Sequence, residues 1–176
     1  MLVWHLASIT FLFRWIFRDP KVDVRFLALG AVAPDVIDMA AATILGTQTA
    51  EFWGHSLAMP ALAGVVVMAS IRRGRRRRAW MALVVAWLLH LLVDGMWVYG
   101  RVFLWPAFGW ELVGQSGGSF WEGAIQRAAS DPWRWILEVI GVAYLGWLAY
   151  STGLSQSEGR ARLVETGRLG KRTDQG

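Results

Sequence analysis

Five apolar stretches, joined by connections of which every second one is basic, constrain this chain more than any other feature. They run Leu2–Phe17, Val24–Leu45, Phe52–Ile71, Ala79–Val98 and Trp133–Tyr150. A helix needs about 20 apolar residues to cross the hydrocarbon of a bilayer, and these stretches meet or approach that length. The chain is 55% hydrophobic with 12 tryptophans, which is too apolar for an ordinary soluble domain. The expected fold is therefore all-α. It is a polytopic membrane bundle of about five transmembrane helices over residues 1–150, followed by a polar, flexible cytoplasmic tail over 151–176. The first stretch is short, but Arg14 and Arg18 follow its apolar run instead of preceding it. That is the wrong order for a signal peptide, so it reads as a retained helix.

The basic residues set the orientation. Arg14, Arg18, Lys21 and Arg25 surround the first connection. Arg72, Arg73 and Arg75 to Arg78 fill the third, and Arg160, Arg162, Arg168, Lys171 and Arg172 lie in the tail. These are 15 of the 18 lysines and arginines, and five helices would put all of them on one side. The positive-inside rule makes that side cytoplasmic, with the N-terminus outside. A net charge of +5 taken alone would suggest a nucleic-acid partner. Its distribution points instead to a topology anchor, with anionic lipid headgroups as partners of the Arg72–Arg78 loop and no nucleic acid.

The long outer connection carries its own signals. Ser119-Phe120-Trp121-Glu122 is a capping box, and Phe120, Trp121, Ala124, Ile125 and Ala128 follow at helical spacing, predicting a short interfacial helix. Asp131-Pro132 supplies an N-cap and a first-turn proline for the last stretch. The aromatic, proline-broken run Leu104–Trp110 is suited to dipping back toward the membrane.

Against this apolar background the ionisable residues are conspicuous. At about 1.5 Å per residue, His5 lies about 20 Å from Arg18, and Asp35 and Asp38 about 15 and 20 Å from Arg25. His55 lies about 25 Å from Arg72, and His90 and Asp94 about 18 and 24 Å from Arg78. Four helices thus bring ionisable groups to a similar depth in the outer half of the bilayer. Each has a structural alternative: an interfacial His5, a His55 near its helix start, an Asp35 serving backbone freed by Pro34, a hydrogen-bonded His90–Asp94 pair. One shared polar site accounts for all of them together, and intramembrane ionisable residues are functional candidates by default. Pro34 also predicts a kink or broken turn at Asp35.

The chain has no cysteine, which excludes disulfides, thiolate metal sites and cysteine nucleophiles. Imidazole and carboxylate together suit a divalent cation, zinc first, with manganese or iron as alternatives. Such a cation would neutralise carboxylates that otherwise repel one another.

The ordered set formed by His5, Gly30–Asp38 (GAVAPDVID), Gly54–Leu57 (GHSL), His90–Trp97 (HLLVDGMW) and Leu104–Trp110 (LWPAFGW) resembles the YdjM-like family of bacterial and archaeal membrane-bound predicted metal-dependent hydrolases. The resemblance covers roughly residues 1–110. It implies a multi-pass inner-membrane protein with a metal site at His5, Asp35, His55, His90 and Asp94. Two positions depart from the family pattern. Ala50 stands where relatives carry a further histidine, and the second aspartate, Asp38, comes one place late and is followed by Met39.

Three functions follow as expectations. The first is a metal-dependent hydrolase acting on a phosphoester or other ester of a lipid or envelope intermediate. His55, His90 and Asp94 would bind one metal, Asp35 would be a fourth or bridging ligand, and Asp38 or Glu51 would be the general base. The second is a non-catalytic membrane protein whose cluster is a structural metal clip. The third is a transporter or proton relay, disfavoured by the nearly unbroken apolar sequence of the inner halves of the helices.

Overall fold

The computed structural model describes residues 1–47, 52–110 and 119–170. Among them are eight α-helices and no strand: α1 (Leu2–Phe17), α2 (Val24–Leu45), α3 (Ala58–Ser70), α4 (Arg75–Val93), α5 (Gly100–Phe103), α6 (Phe120–Ser130), α7 (Pro132–Ser151) and α8 (Ser157–Thr166). Short 3-10 turns at Trp53–His55 and Met96–Val98 precede α3 and follow α4.

The first two apolar stretches became α1 and α2 with the expected bounds, because each is closed by local chemistry. Asp23 caps α2 by accepting from Arg25 N–H at 3.1 Å, and Gly46 ends it in the left-handed conformation. The third stretch did not become one helix. Its first residues form the turn that carries His55, which leaves α3 with 13 residues and about 20 Å of length. The fourth shifted toward its basic end, so α4 opens on Arg75–Arg78 and stops at Val93. By length and composition α2 is the one helix among the described residues apolar enough to cross a membrane, while α1 and α3 are apolar but shorter. The capping box holds in full: Ser119 and Glu122 make both reciprocal bonds at the start of α6. Asp131 and Pro132 open α7 as expected.

α2 and α4 form the most extensive pairing, with α1 against both, α3 on α4 and α7 on α1. Their approach depends on small residues. A Cβ on Gly30 would collide with the Leu83 carbonyl and lie 2.9 Å from Ala86 Cβ. Ile9, Phe13, Val22, Leu27, Ala31, Ala82, Ala86 and Leu89 make the core where α1, α2 and α4 meet. α2 continues as helix through Pro34, so the expected broken turn at Asp35 is absent. Proline's missing N–H costs one intrahelical bond, and packing against α1 and α4 keeps the neighbouring turns in place.

At the basic end α8 folds back. Val24 N–H donates to Gly167 O at 2.8 Å, Arg25 Nη1 to Val164 O at 2.7 Å and Arg75 Nη2 to Thr166 O at 2.8 Å. The Arg25 guanidinium on Asp23 holds that carboxyl below its ordinary value. The three basic stretches of the sequence therefore meet at one end of the bundle, around two cavities lined by the ends of α1, α3 and α7, the starts of α2 and α4, and the tail.

Candidate metal centre

Four elements deliver one group of side chains. α1 supplies His5 from its first turn and α2 supplies Asp35. The 3-10 turn before α3 supplies His55, and α4 ends on His90 and Asp94. His5 and His55 are buried and His90 is fully so, whereas the Asp35 and Asp94 side chains are 35% and 20% exposed. The imidazoles form the floor and the carboxylates form the accessible edge.

Hydrogen bonds to the far ring nitrogens orient the rings. His90 Nδ1 lies 2.7 Å from Ala31 O. His55 Nδ1 lies 2.7 Å from Asp38 Oδ2. A carbonyl or carboxylate there takes the Nδ1–H and leaves the Nε2 lone pair facing inward. The inward atoms are then 3.1 Å apart for His90 Nε2 and Asp94 Oδ2. They are 3.7 Å apart for His90 Nε2 and Asp35 Oδ1, and 3.5 Å for His55 Nε2 with either Asp35 Oδ1 or Asp94 Oδ2. Two ligands at tetrahedral angles around zinc, each at about 2.0 Å, are about 3.3 Å apart, so these separations suit ligand edges. His5 bridges the outer oxygens, with Nε2 2.6 Å from Asp94 Oδ1 and Nδ1 3.5 Å from Asp35 Oδ2.

Two atoms of this group, His5 Nδ1 and His90 Nε2, are buried without a hydrogen-bond partner. Orphaned buried polar atoms are uncommon and call for a cause. His5, Asp35, His90 and Asp94 each offer a ligand atom within 4.8 Å of all the others, so a group of this kind can hold a metal ion. The donor set, the open carboxylate edge and the orphaned nitrogens all fit a divalent cation.

Asp38 sits behind His55. It is fully buried and accepts from Phe52 N–H at 2.7 Å, Gly54 N–H at 2.6 Å and His55 N–H at 3.2 Å, besides the His55 ring. Gly54 makes this possible, since a Cβ there would lie 2.6 Å from Pro34 O and 2.8 Å from Asp38 Oδ1. Trp87 Nε1 donates to Gly54 O at 2.7 Å and ties the same turn to α4. Glu51 lies outside the described residues.

Sequence reading missed one carboxylate. Glu138 of α7 accepts from Trp4 N–H at 3.1 Å, and Gly141, one turn on, lets α7 touch the backbone of Val3 and Trp4. Together they seat the first turn of α1, which carries His5. Glu138 is an ionisable residue inside an apolar stretch of the sequence, the same signal that marks His90.

A family profile described as YdjM inner membrane protein matches residues 2–155. The chain belongs to the YdjM inner membrane protein family. The match extends past residue 110, where the motifs carrying the resemblance end, and takes in α6 and α7. No curated protein matches, and no solved structure matches. Membership of the YdjM family makes this a membrane protein, and within it the His/Asp group is the feature suited to chemistry.

Proposed function

We propose that the chain is a membrane-embedded, metal-dependent hydrolase of a lipid or envelope phosphoester or ester. The carrying observation is the convergence of His5, Asp35, His55, His90 and Asp94 from four elements, with two of their nitrogens buried beside carboxylates and without a hydrogen-bond partner. A divalent cation, zinc first, supplies Lewis acidity and an activated water in such a site.

The chain's own residues have separable tasks. His5, Asp35, His90 and Asp94 present ligand atoms within reach of one ion, and His55 adds a further nitrogen beside Asp35 and Asp94. His5 holds the outer oxygens of both aspartates. Asp38, with its oxygens taken by three backbone N–H groups and a ring, positions His55 instead of acting as the general base expected from sequence. Asp35 is the most exposed carboxylate of the set and takes the proton from the attacking water. The water oxygen bonds to the ester centre, the bond to the leaving group breaks, and Asp35 returns the proton it took to the leaving oxygen.

We also propose the arrangement in the membrane: five crossings, the N-terminus outside, the tail cytoplasmic and the site in the outer half. Large apolar side chains exposed along four helices support it, among them Phe11, Trp15, Leu29, Val36, Leu62, Val66, Val139 and Trp147. A surface of that kind belongs in lipid. The meeting of all three basic stretches at one end supports the orientation.

The deciding experiment is metal analysis of the purified protein beside His90→Ala, with hydrolysis of lipid phosphoesters in mixed micelles as the second readout. One divalent metal per chain, lost together with activity in the variant, is expected. Well-folded wild-type protein without metal would sink the proposal, and metal binding without hydrolysis would leave a structural clip in its place.

A further inference from the structure

We propose that the arginine-lined cavity between the start of α2, the α3–α4 connection and the end of α8 binds the phosphate headgroup of an anionic phospholipid. The cavity measures about 980 Å³, and its lining includes Arg25, Arg72, Arg73, Arg75 and Arg76 against two acidic side chains, Asp23 and Glu165. It belongs to the opposite end of the bundle from the His/Asp group and depends on the proposed orientation only for which leaflet supplies the lipid.

Three observations give it a ligand's chemistry. First, Arg25 and Arg75 are engaged with Asp23 and with α8 carbonyls, while Arg72, Arg73 and Arg76 have no acceptor among the described residues. Guanidinium groups match phosphate oxygens in a bidentate fork. Second, the same wall contains the start of α4. Its N-cap, Gly74, offers no side-chain oxygen, and its first turn has no acidic residue. The free N–H groups and the positive end of the helix dipole therefore add to the arginines, a combination that an anion relieves. Third, the end of α8 already acts as a weak internal anion. The carbonyls of Val164 and Thr166, at the negative end of that helix, occupy Arg25 and Arg75, and the Glu165 carboxylate lies in the lining.

The apolar side of the cavity favours a lipid over a soluble anion or a nucleic acid. Phe26 and Trp80 stand edge to face at 5.0 Å in its wall, with Ile71 and Ala79 beside them. Trp80 is exposed, as is Leu29 one turn beyond Phe26. A headgroup held by the arginines would lay its acyl chain along this track.

The test uses delipidated full-length protein in detergent and measures binding of phosphatidylglycerol, phosphatidylcholine and inorganic phosphate by native mass spectrometry. Phosphatidylglycerol is expected to bind, weakening with salt, and phosphatidylcholine to bind poorly. Arg72→Gln with Arg76→Gln should weaken phosphatidylglycerol about tenfold or more. The equal-charge control Arg77→Gln with Arg78→Gln, outside the lining, should change it less than about twofold. Glu165→Gln removes a negative charge from the lining and should tighten binding. Equal losses in both arginine pairs, no loss in the first, or inorganic phosphate displacing the lipid at matched concentration would overturn the proposal. Should the first pair not fold, Glu165→Gln decides alone, since unchanged binding there counts against the site.

Discussion

At the residue scale the site divides into groups that face inward and groups that hold them, and sequence reads the first far better than the second. His5, Asp35, His55, His90 and Asp94 stand out as polar exceptions in apolar stretches, and the structure brings them together. The partners that orient them are hidden. Ala31 acts through its carbonyl, which no side chain advertises. Asp38, a candidate general base by sequence, has the turn at 52–55 folded around it and accepts from three of its backbone N–H groups. The signal was the turn itself, since a tight turn of buried N–H groups needs an acceptor. This division is testable. Asp38→Asn keeps the shape but turns an acceptor oxygen into a donor facing Gly54 N–H or the His55 ring. Metal affinity is expected to fall about 10- to 100-fold, as for other residues that orient a ligating histidine. Titration against a competing chelator measures it. An unchanged affinity would mean that His55 holds its place without Asp38.

At the element scale, helix identity was legible and helix termination less so. α1 and α2 kept their expected bounds because the apolar run and the caps coincide, and α6 kept its capping box. The stretch from Phe52 lost its first turn because Asp38 captures three of its N–H groups and competes with helix formation there. α8 was not foreseen, since its sequence is polar and its docking contacts are carbonyls of Val164, Thr166 and Gly167. The helix crossing that matters most is α2 on α4, because these two elements carry Asp35, His90 and Asp94. Gly30→Ala places a methyl group against the Leu83 carbonyl and Ala86, which only helix separation relieves. A loss of about 1–3 kcal/mol, typical of overpacking, is expected, with weaker metal retention. Gly146→Ala in α7 meets nothing within 4 Å and should be neutral or stabilise by up to about 1 kcal/mol. Thermal unfolding of both variants in one detergent separates a packing effect from a general intolerance of glycine replacement.

At the scale of the whole molecule, the charge pattern of the sequence and the fold both put the basic residues at one end. Arginines on alternate connections imply one basic side, and the structure gathers Arg14, Arg18, Arg25, Arg72 to Arg76 and the tail around two adjoining cavities. His5, His90 and Asp94 come from the far ends of α1 and α4, His55 from the turn before α3 and Asp35 from the middle of α2. In the proposed arrangement the His/Asp group lies on one side of the membrane and the electrostatic anchor on the other. The absence of native cysteine allows a direct check, because any thiol introduced is the only one present. Ser70, at the end of α3, and Ser155, after α7, belong to the basic end. Ser130, the last residue of α6, belongs to the opposite side, and all three are exposed. With a membrane-impermeant maleimide applied from outside, Ser130→Cys should react in intact spheroplasts. Ser70→Cys and Ser155→Cys should react only after permeabilisation. The reverse pattern would invert the orientation and place the metal centre in the cytoplasmic half. Labelling of Ser130→Cys and Ser155→Cys from the same side would mean that α7 does not cross. α7 would then serve only as the brace that holds Trp4, and with it His5, through Glu138 and Gly141.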